Sequence, residues 1–169
     1  HWEALMRISN VYLMLLTTPL SVYYLPRLAE LKKRNDIRFE IIRGYKLLVP
    51  VTALCGVIIF LFRDWIIFAL FTEDFMPMRS LFAWQLAGDV VKISSWLLSF
   101  FLLSEAMTKL FLFSETFFTI TFCLLVWLLT TFFSEKGAQI AYFVNYSMYF
   151  FSMGLIIWKI LSNQERVKI

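Results

Sequence analysis

The run MRSLFAWQLAGDVVKISSWLLSFFLL, residues 78–103, decides how the rest of the chain is read. About 20 predominantly apolar residues in a helix rising 1.5 Å each cross roughly 30 Å of hydrocarbon, and this run is apolar over most of its length. It nevertheless carries Asp89 and Lys92 near its middle. At about 100° per residue, Gln85, Gly88, Asp89, Lys92, Ser95, Trp96 and Ser99 fall within an arc of roughly 120°, and only Ser94 breaks the apolar remainder. A charge at the bilayer centre costs roughly 2.5–3.5 kcal/mol on insertion scales, so intramembrane charges usually line a cavity or pathway. The three-residue spacing predicts that Asp89 and Lys92 meet across one turn and partly neutralise each other. Such a stripe is either buried glue between helices or the wall of a hydrated, substrate-facing groove.

Four more stretches meet or approach spanning length: 4–25, 45–62, 110–133 and 138–161, beside 81–103 itself. The first is the most polar, with Pro19 as an expected kink. Its Glu3, Arg7, Asn10, Thr17, Thr18 and Ser21 gather on one arc, and two polar stripes predict a shared wet interior, which favours the groove reading. Between the second and third spans, the apolar Trp65–Phe71 core is too short to cross and is expected to lie in the interface. The connections TEDFMP, SEAMTK and FFSEKGA are short and predict antiparallel neighbours. The expected fold class is therefore an all-α integral membrane unit of five transmembrane helices, one compact bundle over residues 1–169.

Composition agrees. Hydrophobic residues make up 60% of the 169, and mean hydropathy is +0.73. An ordinary soluble domain holds roughly 45–50%, so a soluble monomer is excluded. The net charge of +4 has one address. Residues 27–46 carry seven basic side chains (Arg27, Lys32, Lys33, Arg34, Arg38, Arg43 and Lys46) against three acids. Of the 16 basic and 12 acidic residues, nine of each remain elsewhere. The positive-inside rule makes 27–46 a cytoplasmic loop, with the N-terminus outside and the tail bearing Lys159, Arg166 and Lys168 inside. That explains the charge without nucleic acid; anionic membrane lipid is a secondary partner.

Enzyme chemistry finds little material. His1 is the one histidine and lies at the chain end, which leaves nothing for a zinc site or a Ser-His-Asp arrangement. The five glycines are scattered and form no phosphate loop, and no cofactor or metal is expected. Cys55 and Cys123 sit in apolar runs as packing residues. Glu115 is expected to anchor at the interface or pair with Lys109. Asn145, in YFVNYSMYFF, is expected to hydrogen-bond between helices. The aromatic residues, 19% of the chain, are expected mainly on lipid-facing and interfacial surface, with sugar stacking by a few tyrosines as an alternative. A chain opening on His1 rather than Met also reads as a piece of a longer protein.

The segment MRSLFAWQLAGDVVK resembles the Wzx-type polysaccharide flippases, whose typical form is MRxLFAWQLxGDVxK. Upstream, Ile8 through Tyr12 to SVYYLPRLAEL resembles the family's ISxxY entry and YLPxLxxL exit. Asn10 departs from the pattern, which has Asp after the serine. The likeness implies the multidrug/oligosaccharidyl-lipid/polysaccharide exporter superfamily, two six-helix lobes around a cavity, and a place for these spans in the C-terminal lobe. It implies translocation of an undecaprenyl-diphosphate-linked oligosaccharide across the bacterial inner membrane for common-antigen or O-antigen assembly. Polysaccharide polymerase and chain-length proteins are the implied partners. On that reading the substrate-binding residues are Arg7, Gln85, Asp89, Lys92, Ser95 and Ser99. Arg7 and Lys92 meet the diphosphate, Asp89 tunes Lys92 or carries a coupling proton, and the others line the path. Competing readings are a drug or cation antiporter of the same superfamily, part of a membrane glycan polymerase, and a non-catalytic structural subunit.

Overall fold

The computed structural model describes residues 2–70 and 73–163; His1, Phe71, Arg166 and Lys168, named above, lie outside them. Seven α-helices follow in order: α1 (Trp2–Pro19), α2 (Leu25–Glu30), α3 (Arg34–Leu61), α4 (Arg63–Leu70), α5 (Phe82–Ser104), α6 (Thr108–Phe133) and α7 (Gly137–Asn163). Five stretches are long and apolar enough to cross a membrane: Glu3–Glu30, Arg34–Leu61, Pro77–Ser104, Thr108–Phe133 and Gly137–Ser162.

The first of these joins α1 to α2 through a π-helical turn, Leu20–Tyr24, directly after Pro19. The expected kink thus takes the form of a widened turn, in which the Leu25 N–H bonds back to the Leu20 carbonyl. Residues 27–46 are less of a loop than their charge suggested. After an extended break at Leu31 and Lys33, α3 already starts at Arg34, so most of the basic stretch is helical. Tertiary contact holds that start. The Arg34 guanidinium donates to the Ile160 and Leu161 carbonyls at 3.1 and 2.9 Å, satisfying acceptors in the last turns of α7. The short α4 and a 3₁₀ segment, Glu73–Leu81, bridge α3 to α5, tied by Arg79 to Asp64 at 3.0 Å.

α5 is the axis of the bundle. It packs against α7, α3, α1 and α2, and α6 reaches the bundle chiefly through α7. Hydrogen bonds and ring contacts give the directions. Asp89 meets Tyr142, Ser95 meets the Tyr146 carbonyl and Ser99 meets Tyr149, so α5 and α7 run parallel. Tyr45 pairs with Ser94 while Gly56 faces Leu86, so α3 runs opposite to α5. α6 opposes α7 across Glu115–Tyr149 and Phe122–Tyr142. The α6–α7 turn is so tight that a Cβ on Gly137 would lie 2.4 Å from the Leu129 backbone.

Close approach also sets the α5–α7 contact. A Cβ on Gly88 would sit 2.4 Å from Cδ1 of Tyr142, so glycine there is what admits the ring.

Candidate functional site: a buried charged stripe under three tyrosines

Five of the six sequence-predicted residues share one buried face of α5: Gln85, Asp89, Lys92, Ser95 and Ser99. Asp89, 0% exposed, is held from two other helices. The Tyr12 hydroxyl of α1 donates to Oδ2 at 2.6 Å, and the Tyr142 hydroxyl of α7 donates to Oδ1 at 2.8 Å. Gln85 adds a longer contact of 3.4 Å from the same face, and Ser9, one turn before Tyr12, faces the carboxylate too. A buried carboxylate is expensive unless its oxygens are filled, and hydrogen bonds to an ionised acceptor are the strong kind.

Lys92 does not meet Asp89 as its spacing predicted; no ion pair within 4.0 Å joins them among the described contacts. Its Nζ instead lies over three ring faces, 5.2 Å from the centroid of Trp96, 5.5 Å from Tyr142 and 5.4 Å from Tyr146. Ring quadrupoles attract a cation at such distances. The tyrosines therefore separate the charges: one hydroxyl takes the acid while the ring it belongs to takes the base. Both Asp89 and Glu115 remain in electrostatic reach of Lys92.

Ser95 bonds the Val91 and Tyr146 carbonyls, so it joins helices and lines neither cavity described below. Ser99 shares a 2.7 Å hydrogen bond with the Tyr149 hydroxyl, which donates onward to Glu115 Oε1. Glu115 is thus tied to α7 through Tyr149 and, among the described contacts, makes no ion pair with Lys109. It is half-buried between two cavities. One, of about 120 Å³, is lined by Lys92, Glu115, Asn145 and aromatic rings. The other, of about 180 Å³, has Trp96, Ser99, Phe100, Leu103 and Phe111 around the same carboxylate. Asn145 makes no helix-to-helix bond through its Oδ1, which is buried with no partner.

Arg7 stands apart. It lies on the exposed face of α1 and pairs with Glu3 at 2.7 Å, both side chains 77% exposed. Asn10, Thr18 and Ser21 share that outward side, so the two polar stripes do not face one another within this chain. The face of α1 that meets α5 is instead Leu5, Ser9, Tyr12 and Leu13. Tyr12 turns inward to donate to Asp89, and the Ser9 hydroxyl beside it is buried without a hydrogen-bond partner. Cys123 is exposed on α6 rather than packed inside. Among the described residues, no three His, Cys, Asp or Glu side chains come together as a metal site would need.

Sequence reasoning missed Tyr12, Tyr142, Tyr146 and Tyr149. For the last three a signal existed. With Asn145 they recur at 142, 145, 146 and 149, one face of a helix.

Five spanning helices with a buried, charged and tyrosine-capped axis define a multi-pass membrane protein. The comparisons narrow that class. The chain is 33% identical over 150 residues, 88% of its length, to the lipid III flippase of Escherichia coli (strain K12), and equally to the lipid III flippase of Shigella flexneri. Over most of its length it is therefore similar to these flippases. The match spans 36% of each relative's length. No protein-family model and no solved structure matches it.

Proposed function

We propose that this chain is the C-terminal-lobe part of a flippase that moves an undecaprenyl-diphosphate-linked oligosaccharide from the cytoplasmic to the periplasmic leaflet of the bacterial inner membrane. The physical task is to carry a diphosphate and sugars through hydrocarbon while the prenyl tail stays in lipid. Polar side chains in a cleft replace the water that the head group loses, and lobe rocking alternates access. The observation that carries the reading is the charged stripe of α5, buried in the bundle yet opening on a cavity at Lys92. Lys92 is the cation of that cleft. Arg7, exposed on the outer arc of α1, is the contact for the diphosphate. Asp89 tunes Lys92 through Tyr142, Gln85 supports Asp89, and Ser95 and Ser99 hold α7 in register. The basic face at 27–46 lies in the cytoplasm, and polymerase and chain-length proteins take the product onward.

A second reading has an observation of its own. The oxygens of Asp89 are filled by Tyr12 and Tyr142, as they would be in packing glue. The natural gene encoding this chain should restore surface polysaccharide in a bacterium whose own flippase is deleted, and Lys92→Ala should abolish that restoration while the protein still reaches the membrane. Normal export from the paired Asp89→Leu, Lys92→Leu variant would assign the stripe to packing alone.

A further inference from the structure

We propose that the cavity beside Lys92 is a subsite for one sugar ring and is built to exclude the diphosphate. The inference rests on the reading that the substrate is a lipid-linked oligosaccharide, and it names which part of that molecule sits here. At about 120 Å³ the cavity is far below the roughly 300–1,000 Å³ of a drug-sized site. It suits one small ring.

The polar lining offers both hydrogen-bond roles. Asn145 Oδ1 is an acceptor with no partner, in a residue 5% exposed, and such a group needs a donor from whatever enters. Glu115 accepts from Tyr149 and has lone pairs left for another donor. Lys92 donates. Hydroxyl groups donate and accept, so adjacent hydroxyls on one ring can serve all three. A phosphate oxygen only accepts, and it would leave Asn145 and Glu115 unanswered.

Charge points the same way. The lining holds one ammonium and one carboxylate, and Asp89 lies behind the Tyr142 ring as a second carboxylate. That sum is negative and repels a diphosphate. The walls complete the case. Phe118, Phe122 and Tyr149 line the same cavity, giving it apolar walls against which the C–H side of a pyranose can pack. Beyond Glu115 the neighbouring cavity turns apolar, so the polar pocket ends at that carboxylate.

The test measures binding of the purified flippase that contains this chain to four lipids: undecaprenyl diphosphate alone, and the same lipid bearing glucose, galactose or N-acetylglucosamine. The wild type should prefer at least one sugar-bearing lipid by about tenfold or more, near 1.4 kcal/mol. Asn145→Leu should erase that preference and leave affinity for the bare lipid unchanged. Phe118→Ala should do the same and stands in if Asn145→Leu does not insert. The subsite is overturned if the wild type prefers no sugar-bearing lipid, if both variants keep the preference, or if bare-lipid affinity falls in step. Failure of the wild type to bind any of the four lipids would instead overturn the substrate reading on which the subsite depends.

Discussion

α5 and α6 are neighbours of similar length, and hydropathy alone would rank α6 as the better core helix. The structure reverses the ranking: 67% of the apolar window of α5 is buried, against 6% for α6. Lipid explains the reversal. In hydrocarbon an apolar face gains nothing by turning inward, while a charge or amide gains a great deal, so the helix that carries Asp89 and Lys92 at its middle becomes the axis and the more apolar α6 becomes the wall. Between these two helices the more polar one is the more buried, the opposite of a soluble domain.

The largest effect should come from reversing α6. Leu124 is 62% exposed on it, and Leu124→Lys should cost about 2.5–3.5 kcal/mol and cut the inserted fraction sharply in a membrane-insertion assay. Full insertion would mean that this face meets a polar partner and not lipid. Next is Tyr12→Phe, which removes a charge-assisted hydrogen bond from Asp89 and should lower stability in detergent by about 1.5–3 kcal/mol. Gly88→Ala tests the packing of α5 itself. Its methyl would collide with Tyr142 and lie 3.5 Å from the Phe143 backbone, so a loss of about 1–3 kcal/mol in thermal unfolding is expected. The smallest effect belongs to Leu124→Ala, which should stay within about 0.5 kcal/mol because most of that side chain lies outside the bundle.

Much of the fold was legible because spans are written in hydropathy and the α5 stripe in helical period. The second span was underestimated at 45–62. Glu40, Arg43 and Lys46 depress hydropathy there, yet the helix runs from Arg34, held by a contact to α7 that no local pattern reveals. The stripe residues could be placed, but not their partners. Spacing on α5 suggested that Asp89 and Lys92 would meet. The decisive competitor was Tyr12, 77 residues away, together with a ring from α7 that fits only because position 88 is glycine. Aromatic residues were hard to sort because tyrosine suits an interface and a buried site alike. The face formed by 142, 145, 146 and 149 was the readable clue. Arg7 illustrates the limit: periodicity found its arc but not the direction in which the arc points.

The π-helical turn at Leu20–Tyr24 has a consequence for how the first span behaves as a machine part. One extra residue in a turn resets the angular phase of everything after it by about 100°. Leu5, Ser9, Leu13, Leu20, Tyr24 and Leu28 all face inward; on an unbroken α-helix they would drift over an arc of about 140°, and the widened turn takes up part of that drift for Tyr24 and Leu28. The turn is a phase corrector. It lets the upper half aim Ser9 and Tyr12 at Asp89 and the lower half seat Tyr24 and Leu28 in the core cluster with α3 and α7. A single-residue deletion there would leave both halves helical and turn one of them to face the wrong neighbours.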